Sequence, residues 1–179
     1  MARSLAQRNT ITMTSPWVSL VRNPSLLSSL YSTIPPLRDV RLRSIHLNWR
    51  GPALTLRIDL PTFPEKAPAD WLTRGHDTVQ LHLQFLAVSD ISIKGWLPPV
   101  QVDISISPVE GHRILVEIEG TGIKSSFSSS DSIIIGHISA FTISADGSDG
   151  GDRSFLRPLD SRRFDSLPDV YEGTYYERI

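Results

Sequence analysis

Apolar and polar residues alternate strictly along much of the chain between residues 40 and 145. The clearest run is TVQLHLQF, residues 78–85, in which every second residue is apolar. A period of two is typical of a β-strand with one buried and one solvent-facing side. Similar runs separated by turn residues predict about eight strands, which fall within residues 40–49, 53–60, 78–96 (two strands), 100–107, 113–119, 122–130 and 132–145.

Two of these runs contain an irregularity. The alternation in VRLRSIHLNW, residues 40–49, slips at Arg43-Ser44, and a one-residue slip turns every later side chain to the other face. We therefore predict a β-bulge near Ser44. In the last run Gly136 predicts a bend or a bulge, so that the run forms one long or two short strands. The turn sequence RGP at residues 50–52 predicts a hairpin between the first two strands.

The beginning of the chain has a helical pattern instead. Ser-Pro at residues 15–16 and Asn-Pro at residues 23–24 each place a capping residue before a proline. Apolar residues then recur at helical spacing until residue 31, and the prolines at 35–36 end the pattern. We predict one helix broken at Asn23-Pro24, or two short helices, lying against the sheet.

Turns and one long loop connect the predicted strands. Parallel pairing would need crossovers of about a dozen residues or more, so we predict an antiparallel sheet. The expected fold is mainly β: an antiparallel sheet or sandwich of about eight strands with a short N-terminal helical segment packed on it. We predict a flexible leader at residues 1–14, a single domain at 15–145 and a flexible or loosely docked tail at 146–179, where the alternation ends.

The amino-acid composition argues against several classes of function. The formal net charge is −1, so no strong positive field attracts nucleic acid or an anionic membrane. The chain has no cysteine, which excludes disulfides, thiolate nucleophiles and cysteine-bound zinc and fits a reducing compartment. Because the N-terminal residues lack a continuous apolar segment and a cleavage site, we expect no signal peptide and a cytoplasmic location.

No motif for catalysis or cofactor binding stands out. The histidines lack metal-ligand spacing, although His46, His82 and His137 could face one another across strands. The DGSDGGD sequence at residues 146–152 lacks the terminal glutamate and flanking helices of a calcium loop, which favours a linker. No G-x-S-x-G sequence is present, and nothing singles out a pair of strand carboxylates. We therefore expect no enzyme activity, no cofactor and no metal.

The sheet's polar side and its tryptophans are the candidate binding features. Tryptophan is enriched at binding surfaces, although at strand ends it also closes hydrophobic cores. The long loop at 61–77 holds one tryptophan and a predicted helical turn at residues 69–72. The polar side of the predicted sheet offers hydrogen-bonding groups that suit a partner or water equally. The residues expected to bind a partner are Trp71, Gln80, His82, Gln84, Lys94 and Trp96.

A family resemblance gives these features a function. The paired strands around Trp49-x-Gly51, the loop containing Trp71 and the strands VQLHLQF and ISIKGW resemble the immunity protein 50 family of bacterial polymorphic toxin systems. The resemblance covers about residues 17–145. It implies an antitoxin that is not an enzyme and that binds and neutralises a cognate toxin protein encoded nearby.

Two alternatives remain open on the residues alone. The chain could be a β-sandwich or barrel that binds a small ligand or a sugar, for which an apolar pocket with a few polar groups would be expected. It could also be a structural scaffold module whose exposed strand edge pairs with another chain.

Overall fold

The computed structural model describes residues 15–48 and 51–163. The helical elements are a 3₁₀ helix at Pro16–Leu20 and three short α-helices, α1 at Ser25–Ser28, α2 at Ala69–Thr73 and α3 at Pro158–Arg163. The strands are β1 (Val40–Asn48), β2 (Ala53–Asp59), β3 (Thr78–Phe85), β4 (Ser89–Lys94), β5 (Val100–Val109), β6 (Arg113–Gly120), β7 (Ile123–Ser130), β8 (Ile133–Phe141) and β9 (Arg153–Phe155). The predicted leader at residues 1–14 lies outside the described residues.

The nine strands form one antiparallel sheet in the order β4-β7-β6-β5-β1-β2-β3-β8-β9. This confirms the predicted mainly β class and the antiparallel pairing. Eight strands coincide with the predicted runs, although β5 and β6 extend one or two residues beyond them, and β9 is an additional strand after residue 145. No helix in the described ranges is long and apolar enough to cross a membrane.

The predicted hairpin and bulge are both present in β1 and β2. The two strands pair antiparallel from Arg41↔Asp59 to Asn48↔Ala53. Their register shifts between Leu42 and Ser44, so the bulge occurs one residue from the predicted position. The bulge keeps Leu42 and Ile45 of β1 opposite apolar residues of β2, Ile58 and Leu56, although the alternation in β1 slips.

A second bulge lies beside Gly136, as predicted. In the β3–β8 pair, Gln80 is opposite Ser139, but His82 is opposite Gly136. Two residues of β8 therefore face one residue of β3, and His137 takes a positive φ of 30°. The last predicted run is one bulged strand rather than two.

The N-terminal segment breaks at Asn23-Pro24 into two short helical elements, as predicted. It packs on the sheet through buried Trp17, Leu27 and Leu30. The side chain of Asn23 donates to the Ile135 carbonyl at 2.7 Å and accepts from the Ile135 amide at 3.0 Å, which fixes the segment to β8.

The sheet curves so that strands distant in its order share one core. β1 and β5 pair over only three residues, from Val40↔Val102 to Leu42↔Val100. The rings of Phe85 on β3 and Phe127 on β7 then meet edge to face, with their centroids 5.0 Å apart. The alternating apolar residues of both halves of the sheet therefore point into one hydrophobic interior.

The sheet continues beyond residue 145. β9 pairs with β8 from Ser139↔Phe155 to Phe141↔Arg153, and α3 follows. Phe155 and Asp160 are buried, so residues 153–160 cover part of the sheet that the alternation assigns to solvent. The remainder of the predicted tail, residues 164–179, lies outside the described residues.

Candidate interaction surface

Strand β4 exposes apolar side chains at one end of the sheet. Among the described strands it pairs only with β7. Ile91 is 43% exposed, Ile93 is 40% exposed, and Trp96 just beyond the strand is 49% exposed. We name residues 89–97 the edge surface. A row of apolar side chains on a strand with one unpaired edge is typical of a protein-binding surface.

The register explains why these isoleucines are exposed. Ile93 is opposite Ser125, which is buried on the core side of β7 together with Ile123 and Phe127. Opposite residues in an antiparallel pair point to the same face of the sheet. Ile93 therefore continues the core-side row of β7, but β4 has no further strand to cover it.

A glycine holds the end of β4 against its neighbour. Gly95 has a φ of +72°, a left-handed conformation that favours glycine. A Cβ at this position would collide with the carbonyl oxygen of Gly122, in the turn between β6 and β7. This close approach fixes the backbone immediately before Trp96.

The opposite side of β4, β7, β6 and β5, which we name the outer face, is polar. One row of paired positions crosses the four strands in the sequence Lys94, Lys124, Glu119 and Asp103. Lys124 Nζ lies 2.6 Å from Glu119 Oε1, and this hydrogen bond and charge raise the pKa of Lys124. The next row is Ser92, Ser126, Glu117 and Ser105, so the outer face has both signs of charge and many hydroxyl groups.

A groove of about 430 Å³ adjoins the acidic end of the outer face. It lies between the N-terminal segment, including Trp17 and Arg38, and strands β5 and β6. The carboxylates of Asp103, Glu117 and Glu119 contribute to its lining. The groove is therefore a polar extension of the outer face rather than an apolar ligand cavity.

Trp71 is buried instead of forming part of a surface. It lies on α2, within the helical turn predicted from the sequence, and is 0% exposed. Its ring packs against Phe63 at a centroid distance of 6.4 Å. The expectation that this tryptophan is available to a partner is wrong for the described structure, because α2 turns it into the core.

Gln80 and His82 are buried as well, which corrects their expected exposure. They point to the non-core side of β3, as the alternation predicts, but the segment after residue 145 covers that side. The Gln80 amide donates to Asp59 Oδ1 and to Asp149 Oδ2, both at 2.8 Å. Both side chains are thus interior groups.

A charged network lies between β3 and this covering segment. Asp149 Oδ2 is 3.1 Å from Arg57 Nη1 and 3.3 Å from Arg153 Nη2. Burial by itself would raise the pKa of Asp149, but the Gln80 hydrogen bond and the nearby arginines together lower it. The carboxylate therefore stays ionised and ties its loop to the sheet.

The Arg43–Asp59 pair extends the network across β1 and β2. Its shortest contact is 2.6 Å, and both side chains are nearly fully buried. Arg43 also donates to the Gly147 carbonyl at 2.6 Å. The extra residue of the β1 bulge is thus an arginine that anchors the segment after residue 145.

His82 lies beside this network and is held neutral. Its ring meets that of His137 edge to face at 5.4 Å. Burial, followed by the charges of His137, Arg57 and Arg153, lowers the pKa of His82 to about 3. Within residues 15–48 and 51–163, no group of three His, Asp or Glu side chains is arranged to hold a metal ion.

The remaining candidates divide between two regions. Lys94 and Trp96 belong to the edge surface. The half-buried Gln84 lies on β3, which is separated from β4 by five strands of the sheet. The structure therefore brings two of the six predicted partner residues together on one accessible surface. Sequence reasoning missed the exposure of Ile91 and Ile93, because alternation does not reveal which strand ends a sheet.

Comparison with known protein families identifies the family of the chain. The sequence model of the family described as immunity protein 50 matches residues 23–140. The match runs from before α1 to Ala140, one residue before the end of β8, covers well over half of the chain and includes the whole edge surface. Comparison with curated proteins found no match, and neither did comparison with solved structures. The chain belongs to the immunity protein 50 family.

Proposed function

We propose that this protein is an antitoxin that binds a cognate polymorphic toxin domain and neutralises it without catalysis. The family match carries the proposal. The toxin is encoded near this gene, and the two proteins meet in the cytoplasm of the producing cell. Inhibition by binding requires a rigid surface with a few well-placed anchors rather than reactive groups.

The outer face and the edge surface with Trp96 support this role. Trp96 supplies a large apolar side chain with one polar group, and such residues dominate binding energy at protein interfaces. Lys94 and the paired charges on β6 and β7 give the neighbouring outer face both signs of charge, which favours a specific partner over general attraction. We propose that the toxin contacts Lys94 and Trp96.

Co-expression tests the proposal directly. The toxin domain encoded beside this gene is expressed in a heterologous bacterium with the wild-type chain, which should restore growth. Calorimetry of the purified pair should show that Trp96→Ala weakens binding by about tenfold or more. Leu72→Ala is the matched control, because Leu72 is an exposed apolar residue on α2, away from the edge surface.

The outcomes separate the role from the surface. If the wild-type chain neither restores growth nor binds the toxin, the antitoxin proposal is wrong. If it does both and Trp96→Ala binds equally well, the toxin uses another surface. The groove beside β5 does not favour the small-ligand alternative, since its lining includes three carboxylates and such pockets are mainly apolar.

A further inference from the structure

The groove beside β5 and β6 is acidic and lies where the described chain begins. Its described lining has three carboxylates, from Asp103, Glu117 and Glu119, and one basic residue, Arg38, which gives a net charge of −2. Ser15, the first described residue, lines the same groove. The residues that precede Ser15 therefore join the described structure at this groove.

These preceding residues, the leader at 1–14, have the opposite charge. They read MARSLAQRNTITMT, with two arginines, Arg3 and Arg8, and no aspartate or glutamate. Their side chains therefore give a charge of +2, equal and opposite to that of the groove lining. We propose that the leader folds back into this groove and that Arg3 and Arg8 pair with its carboxylates. The inference concerns the chain alone and does not require the toxin.

The carboxylates of the groove attract a further cation. Asp103 and Glu119 are opposite one another on β5 and β6, and like charges in opposite positions destabilise a sheet. Lys124 pairs with Glu119 at 2.6 Å, and Asp103 accepts a hydrogen bond from the Asp39 amide at 2.8 Å, which leaves its charge in place. Glu117 forms no ion pair within the described part of the chain.

Attachment at Ser15 favours the leader over a separate basic segment. An extended chain spans about 3.3 Å per residue, so Arg8, seven residues before Ser15, can lie anywhere within about 23 Å of it. A group tethered this closely has an effective concentration on the order of millimolar. Exposed ion pairs are individually weak and are screened by salt, so the docking should be reversible and should weaken as the salt concentration rises.

A spin label on the leader tests the docking in the full chain. The sequence has no cysteine, so Ala6→Cys provides a unique attachment site between the two arginines. The label should broaden the amide signals of residues 103–107 and 117–119 at low salt. This broadening should fall at about 1 M salt, where the Debye length is about 3 Å. A label that is tethered but not docked would give broadening that does not depend on salt.

Charge reversal identifies the groups that pair. Arg3→Glu/Arg8→Glu should remove the salt-dependent broadening, whereas the charge-conserving control Arg3→Lys/Arg8→Lys should retain it. The triple variant Glu117→Lys/Glu119→Lys/Lys124→Glu reverses the groove and keeps opposite charges at positions 119 and 124. It should also remove the broadening, and its combination with Arg3→Glu/Arg8→Glu should restore it. Circular dichroism establishes that every variant is folded.

Three results would overturn the proposal. The first is equal broadening of β5 and β6 with the natural leader and with Arg3→Glu/Arg8→Glu. The second is a combined reversal of leader and groove that does not restore the broadening. The third is equally strong broadening between separate chains, measured by mixing spin-labelled chains with isotope-enriched chains that have no label, which would place the leader in the groove of another copy.

Discussion

Trp71 and Leu72 show how adjacent residues of one short helix take different roles. Both lie on α2, but Trp71 is 0% exposed and Leu72 is 62% exposed. The sequence predicts the helical turn correctly, since Pro68 precedes it and Gly75 follows. A helix of five residues is too short to show a period, however, so the buried side could not be identified before the tertiary contacts were known.

Trp71→Ala should therefore act on stability. Removing a fully buried tryptophan leaves a cavity and loses apolar burial, which costs about 3–5 kcal/mol of unfolding free energy. Leu72→Ala should change it by less than about 0.5 kcal/mol, because the side chain is largely exposed. Urea denaturation of both variants measures the difference. Equal stabilities would show that Trp71 is not a core residue.

His82 should make stability depend on pH. Its pKa in the folded state is about 3, well below the unfolded value near 6.5, because burial disfavours its charged form. Between these values the unfolded chain binds more protons than the folded chain. The contribution of neutral His82 to stability is therefore complete above pH ~6.5 and is lost as pH falls towards 3. The sign is thus lower stability at lower pH.

Replacing His82 should weaken this dependence. Between pH 6 and 5 the wild type should lose about 1 kcal/mol more unfolding free energy than His82→Gln. Urea denaturation at pH 7, 6 and 5 provides the measurement, and His112→Gln is the control because His112 is highly exposed. If the wild type and His82→Gln have parallel pH curves, His82 is not the titrating group.

At the scale of elements, the segment from residue 146 to α3 differs most from what its sequence predicts. Apolar and polar residues do not alternate in this segment, and its glycines and aspartates are typical of a linker. The local sequence therefore does not predict β9. Its attachment depends on long-range contacts: Arg153 donates to Gln80 at 3.1 Å and to Ser139 at 2.8 Å. These partners lie on β3 and β8, far away in the chain.

Arg153→Ala should loosen this segment. The arginine side chain is almost fully buried, also lies over the Phe141 ring at 4.6 Å, and shares Asp149 with Arg57. Its loss leaves buried polar groups without their partner, which costs on the order of 3 kcal/mol. Hydrogen exchange should show faster exchange at β9 first.

The matched control comes from the same segment. Arg162 is an exposed arginine on α3, so Arg162→Ala should leave exchange in β9 unchanged and stability within about 0.5 kcal/mol. Equal protection of β9 in the Arg153→Ala variant and in the wild type would show that the network does not hold the strand.

At the scale of the whole molecule, strand order decides which residues meet a partner. β3 and β4 are consecutive in the chain, yet β4 pairs with β7 and β3 lies between β2 and β8. Gln84 and Lys94 therefore occupy different regions, although both follow the same sequence pattern. The same order leaves Ile91 and Ile93 at an edge and puts Gln80 beneath the covering segment.

The local rules of the chain determine its class, most strand positions, both bulges, the hairpin and the break at Asn23-Pro24. Each follows from a period of two, a capping residue or a proline, and these act within a few residues. Tertiary structure alone decides the strand order, the burial of Trp71, Gln80 and His82, and the exposure of β4. Those features depend on contacts between residues far apart in the chain, and alternation specifies which residues share a face but not what covers that face.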